Sequence, residues 1–263
     1  MARMPLTYAQ YLKLDELLKL QEARSKPAEH DELLFIVIHQ VYELWFKLLL
    51  HELDKTGRDF EQGDLYGAIH TLKRSRTIMK TLVGQLDILE TMTPMSFTSF
   101  RDRLETSSGF QSSQFRELEY LLGFKRAEML KFCDRESGAY AAAGQRLNSP
   151  SLIDQFYKFL ATRGANVPAS LAARPVADPA EPSEELQEEI LRLYKTKPEL
   201  TILFELMTDF DEGMQEWRYR HVKIVERTIG NKQGTGGSMG VEFLKKSLFR
   251  PIFADLWAIR HRL

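Results

Sequence analysis

The sequence predicts an all-α protein, a helical bundle with several long antiparallel members. Three observations carry this. Apolar residues recur at three- and four-residue steps through most of the chain. No run alternates apolar and polar residues as a half-buried strand would, and no internal repeat is present. Helix start signals precede several periodic stretches: Asp31 and Glu32, Thr93-Pro94, Ser183, and Pro198. At 263 residues the chain is near the upper end of what one hydrophobic core serves, so a single domain over 1–263 is expected.

Residues 8–20 predict a short amphipathic helix carrying Tyr8, Tyr11, Leu12, Leu14 and Leu18. Residues 31–55 predict a long one, with acidic residues in its first turn. Its run LLFIVIHQVYELWFKLLL is apolar nearly all round, which implies a central helix covered on most sides. The charges Glu43, Lys47, His51 and Glu52, and its length, argue against a bilayer span. Residues 65–90 predict a second long helix. Thr93 then reads as an N-cap with Pro94 at the first helical position, opening a short helix over 95–104 that Ser107-Ser108-Gly109 ends. Helices are expected at 112–122, 125–135 and 150–161. The proline- and alanine-rich segment 164–185 has no periodicity and reads as a variable or mobile connection. A helix resumes near Ser183, another runs from Pro198 to about Thr228, and short ones close the chain at 240–248 and 251–260.

Composition excludes several functions. The 36 basic and 37 acidic residues give a net charge of −1, with no field to attract nucleic acid or an anionic membrane. Cys133 is the only cysteine, so neither an intrachain disulfide nor a multi-thiolate metal site is possible. The first residues lack an uninterrupted apolar signal core, and a cytoplasmic protein is expected.

Two histidines stand out. Leu203, Leu206, Phe210, Met214, Trp217, His221 and Ile224 share one face of the 198–228 helix, and His221 is the only ionisable side chain among them. Phe35, His39, Tyr42, Phe46, Leu49 and Leu53 form the equivalent line on the 31–55 helix. An inward imidazole needs a partner for its nitrogens, ordinarily a carbonyl but also a metal. Two of them on long helices that can face each other point to a shared cavity. A di-iron bundle needs Glu-x-x-His pairs, but Ile36 and Arg218 stand three residues before the two histidines. Haem suits the aromatic company better, needing one axial histidine and an apolar slot. Arg101 shares a helix face with Phe97; if it lines the cavity, its planar fork suits a carboxylate. The loop 230–240, GNKQGTGGSMG, lacks the Gly-Lys-Ser/Thr ending of a phosphate loop and instead suggests a lid bearing Thr235 and Ser238. DFDEG at 209–213 resembles the start of a calcium loop but lies inside a helical pattern.

Four segments, LTYAQYLKLDELL (6–18), HDELLFIVIHQVYELWFK (30–47), FRDRLETSSGFQSSQFRELEYLLG (100–123) and WRYRHVKIVERTIGNKQGTGGSMGVEFL (217–244), resemble those of the tryptophan 2,3-dioxygenase family in order and spacing. The likeness is poor over roughly 135–185. The resemblance implies a helical bundle enclosing a haem pocket. It implies haem b, ferrous in the active state, that adds both atoms of O2 across the indole C2–C3 bond of L-tryptophan to give N-formyl-L-kynurenine. By it His221 is the axial ligand of the haem iron and His39 hydrogen-bonds the indole N–H. Phe35 packs on the indole, Arg101 binds the substrate carboxylate, and Thr235 helps hold the amino-acid end. Phe97 stands where the family carries tyrosine or phenylalanine. Tyr8 and Tyr11 match aromatics that reach a neighbouring subunit's pocket in a homotetramer built as a dimer of dimers. Two alternatives share these residues: a haem oxygenase that uses a modified indole or inserts one oxygen atom, and a non-catalytic haem-binding protein.

Overall fold

Two helices, of 33 and 32 residues, set the frame. The computed structural model describes residues 5–136, 138–230, 232, 234 and 240–263. The N-terminal segment carries α1 (Tyr8–Leu12) and α2 (Leu14–Leu17). The long α3 (His30–Gln62) turns back into α4 (Leu65–Leu89), and the short α5 (Pro94–Arg101) follows. Next come α6 (Ser113–Leu121), α7 (Gly138–Leu147), α8 (Leu152–Thr162) and the one-turn α9 (Ala169–Ala172). Helix α10 (Glu184–Thr196) leads into the second long helix, α11 (Pro198–Ile229), and α12 (Val241–Lys245) and α13 (Ala254–Ala258) end the chain. No strand occurs among the described residues.

The α3–α4 hairpin follows from local chemistry. Gly63 ends α3 at φ 71°, a left-handed conformation that glycine adopts without a Cβ clash. The Asp64 side chain then accepts from the Gly67 N–H at 2.9 Å, capping α4. Helix α4 packs on both α3 and α11, while α6 and α8 cover another side of α3. The core between them is built from wholly buried Leu49, Leu53, Leu72, Leu82, Phe204 and Phe210. Asp211, buried on α11, accepts from the backbone N–H of Ile252 (2.7 Å) and Phe253 (2.9 Å) and from the Trp257 indole (3.0 Å). The acidic DFDEG stretch thus clamps the C-terminal segment onto α11, and its position inside a helix agrees with the sequence reading.

Several expectations need correction. The single helix over 8–20 is two pieces, because Lys13 takes φ 55° between them. The expected helix at 125–135 is a 3-10 segment over Ala127–Phe132. Helix α7 was not anticipated: GAYAAAGQRL is rich in alanine, which favours helix without imposing an apolar stripe. Nor is α3 covered on most sides within one chain, since Leu33, Val37 and Leu44 are exposed. Its length does not distinguish it from a membrane span either; 18 of its residues average a hydropathy of 1.6. Its packed face is that of a core helix, with buried Glu52 and Asp59 in ion pairs with Arg74 and Lys55. The 164–185 connection contains α9 and is tied down by buried Leu171 and the Arg174–Asp154 ion pair.

Candidate active site

A cavity of about 300 Å³ lies between α3, α5, α6, α11 and α12. The periodicity that put His39 and His221 on inward faces brings both to its walls, with Phe35, Phe97 and Arg101 beside them. Around them the lining is mainly aromatic and aliphatic, including Phe46, Leu89, Phe115 and Ile224.

On the α3 wall, His39 Nδ1 lies 2.7 Å from the Phe35 carbonyl oxygen. A carbonyl only accepts, so Nδ1 carries the proton and donates it, leaving the Nε2 lone pair for the cavity. Desolvation by the surrounding cavity wall lowers the His39 pKa, against the opposing effects of the Phe35 carbonyl and Glu43, so the neutral ring is favoured. The Phe35 ring stands 4.1 Å from the His39 ring and 5.8 and 5.6 Å from Phe97 and Phe100. Together they form an apolar cluster of mutually tilted rings, of which Phe35 and Phe97 face the cavity.

The α11 wall differs. Among the described residues His221 has no hydrogen-bond partner, and its ring is stacked on Trp217, one turn earlier, at 5.3 Å and 7°. Burial, then the proximity of His39, brings its pKa down to about 4. At neutral pH it is therefore an unprotonated nitrogen base, the form that binds a metal. No group of three or more His, Cys, Asp or Glu able to hold an ion occurs among the described residues. An imidazole with no hydrogen-bond partner among the described residues, on the wall of an aromatic slot, fits a haem, which carries most of its iron's ligands itself.

Arg101 lines the cavity at the end of α5, where the Thr93 cap (3.1 Å to the Ser96 N–H) and Pro94 fix the helix start. Buried Phe97 lies one turn before it. Thr235 lies outside the described residues. Tyr8 and Tyr11 are each 75% exposed on α1 and do not line the cavity of their own chain.

Sequence reasoning missed other lining residues. The Ser107–Phe110 turn reaches the cavity, and Phe110 packs on Phe243 at 5.2 Å and Phe132 at 5.8 Å, closing α12 over one side. The SSG break was legible as a loop, but nothing local showed where it points. Arg116, Glu119, Arg126 and Arg218 also line the cavity. In sequence they look like ordinary solvent-facing charges.

Comparison with known proteins adds to this geometry. The family model described as Tryptophan 2,3-dioxygenase matches residues 1–152 and 186–263. The unmatched stretch thus begins later than the 135 expected from the sequence. A protein of Anaeromyxobacter dehalogenans named Tryptophan 2,3-dioxygenase is 51% identical over 258 residues, covering 98% of this chain and 96% of its own length. One of the same name from Herpetosiphon aurantiacus is 51% identical over 256 residues, covering 97% of each. Another from Caulobacter vibrioides is 44% identical over 261 residues, covering 98% of each.

Proposed function

The chain belongs to the tryptophan 2,3-dioxygenase family, and from that premise we propose how its residues divide the work. The protein is a haem-dependent oxidoreductase that adds both atoms of O2 across the indole C2–C3 bond of L-tryptophan, giving N-formyl-L-kynurenine, the first step of tryptophan catabolism. The observation that carries the residue assignment is the pairing of unlike histidines across one apolar cavity. Neither a one-oxygen oxygenase nor a non-catalytic haem protein is favoured by any feature of the chain.

His221 would hold the haem iron, and its lowered pKa would keep it an unprotonated nitrogen base across the physiological range. The cofactor is haem b, ferrous in the working state. Bound there, haem supplies the redox-active iron that makes triplet O2 reactive toward a closed-shell indole. The protein supplies placement. Arg101 clamps the substrate carboxylate through its paired N–H groups. Phe35, with Phe97 beside it and Phe100 packed behind both, takes the indole face. His39 Nε2 accepts the indole N–H, because Nδ1 is already committed to the Phe35 carbonyl. We assign His39 the role of orienting the indole through this N–H. Holding two reactants in register in this way is a proximity effect.

Phe97 offers the carboxylate no hydroxyl, which leaves that work to Arg101. Thr235, outside the described residues, is assigned to the ammonium and carboxylate end of the substrate. The exposed Tyr8 and Tyr11, with the uncovered Leu33, Val37 and Leu44, match a chain that completes its pocket with a neighbour. The assembly is a homotetramer, a dimer of dimers, in the cytoplasm, with no nucleic-acid or membrane partner. Turnover in ¹⁸O-labelled O2 tests the reaction: two labelled atoms in the product are expected, and one contradicts it.

A further inference from the structure

One corner of the cavity holds more positive charge than the protein neutralises. Arg116 and Glu119 on α6, Arg126 beyond it, and Arg218 on α11 all line the cavity. The side chains of Arg116, Glu119 and Arg218 are 4%, 2% and 5% exposed. All three guanidiniums depend on the one carboxylate. Arg116 pairs with Glu119 directly, Arg126 Nη2 lies 2.7 Å from Glu119 Oε1, and Arg218 Nη2 is 3.8 Å from that same oxygen.

Their remaining donors are poorly served. Arg116 Nε and Arg126 Nε are buried with no acceptor among the described residues. Arg218 makes a long 3.3 Å bond to the Arg250 carbonyl and lies 4.2 Å over the Phe124 ring. Asp211 attracts Arg218 only from a distance, and its carboxylate already accepts from the C-terminal segment. Burial, with Arg126 and Arg116 as like-charged neighbours, lowers the Arg218 pKa despite Glu119. Buried charges of one sign with too few counter-charges are costly, and structures keep them where a ligand supplies what is missing.

We propose that Arg116, Arg126 and Arg218 form the cradle for the two propionate carboxylates of the haem. Three guanidiniums against one carboxylate leave an excess of two positive charges, and haem carries two negative ones at a single edge. Away from this corner, Phe46, Leu89, Phe115 and Ile224 give the cavity apolar surface that suits the remainder of the porphyrin. The cradle therefore fixes which way round the disc enters the slot while His221 fixes its face. The carboxylate of the amino acid remains assigned to Arg101, at the end of α5. This inference rests on the haem reading given above.

The test loads the full chain with haem or with haem dimethyl ester, whose propionates are uncharged. It then follows loss of each porphyrin to excess apomyoglobin by the Soret band. A charge-assisted contact predicts that the unsubstituted protein loses the ester at least about tenfold faster than haem. Arg218→Met and Arg126→Met are expected to narrow that gap to within about threefold by speeding haem loss, leaving ester loss little changed. Arg126, the most exposed of the three, keeps the test decisive if Arg218→Met fails to fold. Equal loss of haem and ester from the unsubstituted protein, or an unchanged gap in Arg126→Met, overturns the cradle while leaving haem binding intact. Uptake of neither porphyrin overturns the haem reading itself and the cradle with it.

Discussion

The two histidines that face the cavity are the same residue in two different environments. His39 has one nitrogen committed to the Phe35 carbonyl and one left to accept a proton donor. His221 has neither nitrogen engaged among the described residues, and its ring orientation is fixed by stacking on Trp217. The first arrangement suits reading an N–H group; the second suits binding a metal. Helical spacing places both side chains at one cavity, and what each can do is decided by its neighbours one turn away.

The sharpest way to break this comparison is to remove the histidine assigned to the metal. His221→Ala is expected to weaken haem affinity by more than about 100-fold, read from the Soret band, whereas His39→Ala keeps haem. Equal loss from both would erase the distinction. Arg101→Ala comes next. It retains haem, and the KM for L-tryptophan rises about 10- to 100-fold, the range for a charge-assisted contact. An unchanged KM removes the clamp.

The apoprotein separates the histidines by pH. His221 titrates near 4 in the folded chain against 6.5 when unfolded, so between these values the unfolded state binds more protons. Its contribution is fully present above pH 6.5 and is lost as pH falls toward 4. Lowering the pH from 7.5 to 5 is expected to cost about 2 kcal/mol through this group. His221→Leu should flatten that slope in urea unfolding, and a slope identical to that of the unsubstituted chain would count against the burial of the ring.

Two smaller effects concern the substrate. His39→Ala is expected to lower kcat/KM for L-tryptophan about tenfold, the worth of one well-placed hydrogen bond. With 1-methyl-L-tryptophan, which has no indole N–H, the same substitution should change little. A tenfold loss with both substrates would mean that His39 acts otherwise than by accepting that proton. Phe97→Tyr should lower KM by no more than about fivefold, because it adds one neutral hydroxyl beside the Arg101 clamp.

Much of this site could be read from the sequence because it is built on regular helices, two of them long. Phe35, His39, Phe97, Arg101, Trp217 and His221 fall on helical faces that three- and four-residue spacing defines. Where structure depends on something other than periodicity, the sequence was silent. The left-handed turn at Lys13 splits the N-terminal helix without a glycine to announce it. Helix α7 arises from alanine content, which leaves no stripe to find. The arginine corner is the clearest case. Arg116, Arg126 and Arg218 come from three separate segments, each with the charge pattern of a solvated surface, and only the approach of α6 to α11 buries them around Glu119. The open face of α3 is the converse, an apolar run that the chain itself leaves uncovered at Leu33, Val37 and Leu44.

The absorbance spectrum of the purified, reduced protein, with and without L-tryptophan, tests the central claim most directly. A cavity with one histidine for the metal and one for the indole predicts a Soret band that shifts when the amino acid enters beside the haem. Absence of haem absorbance after supplementation with haemin, or a band indifferent to saturating L-tryptophan, would contradict it.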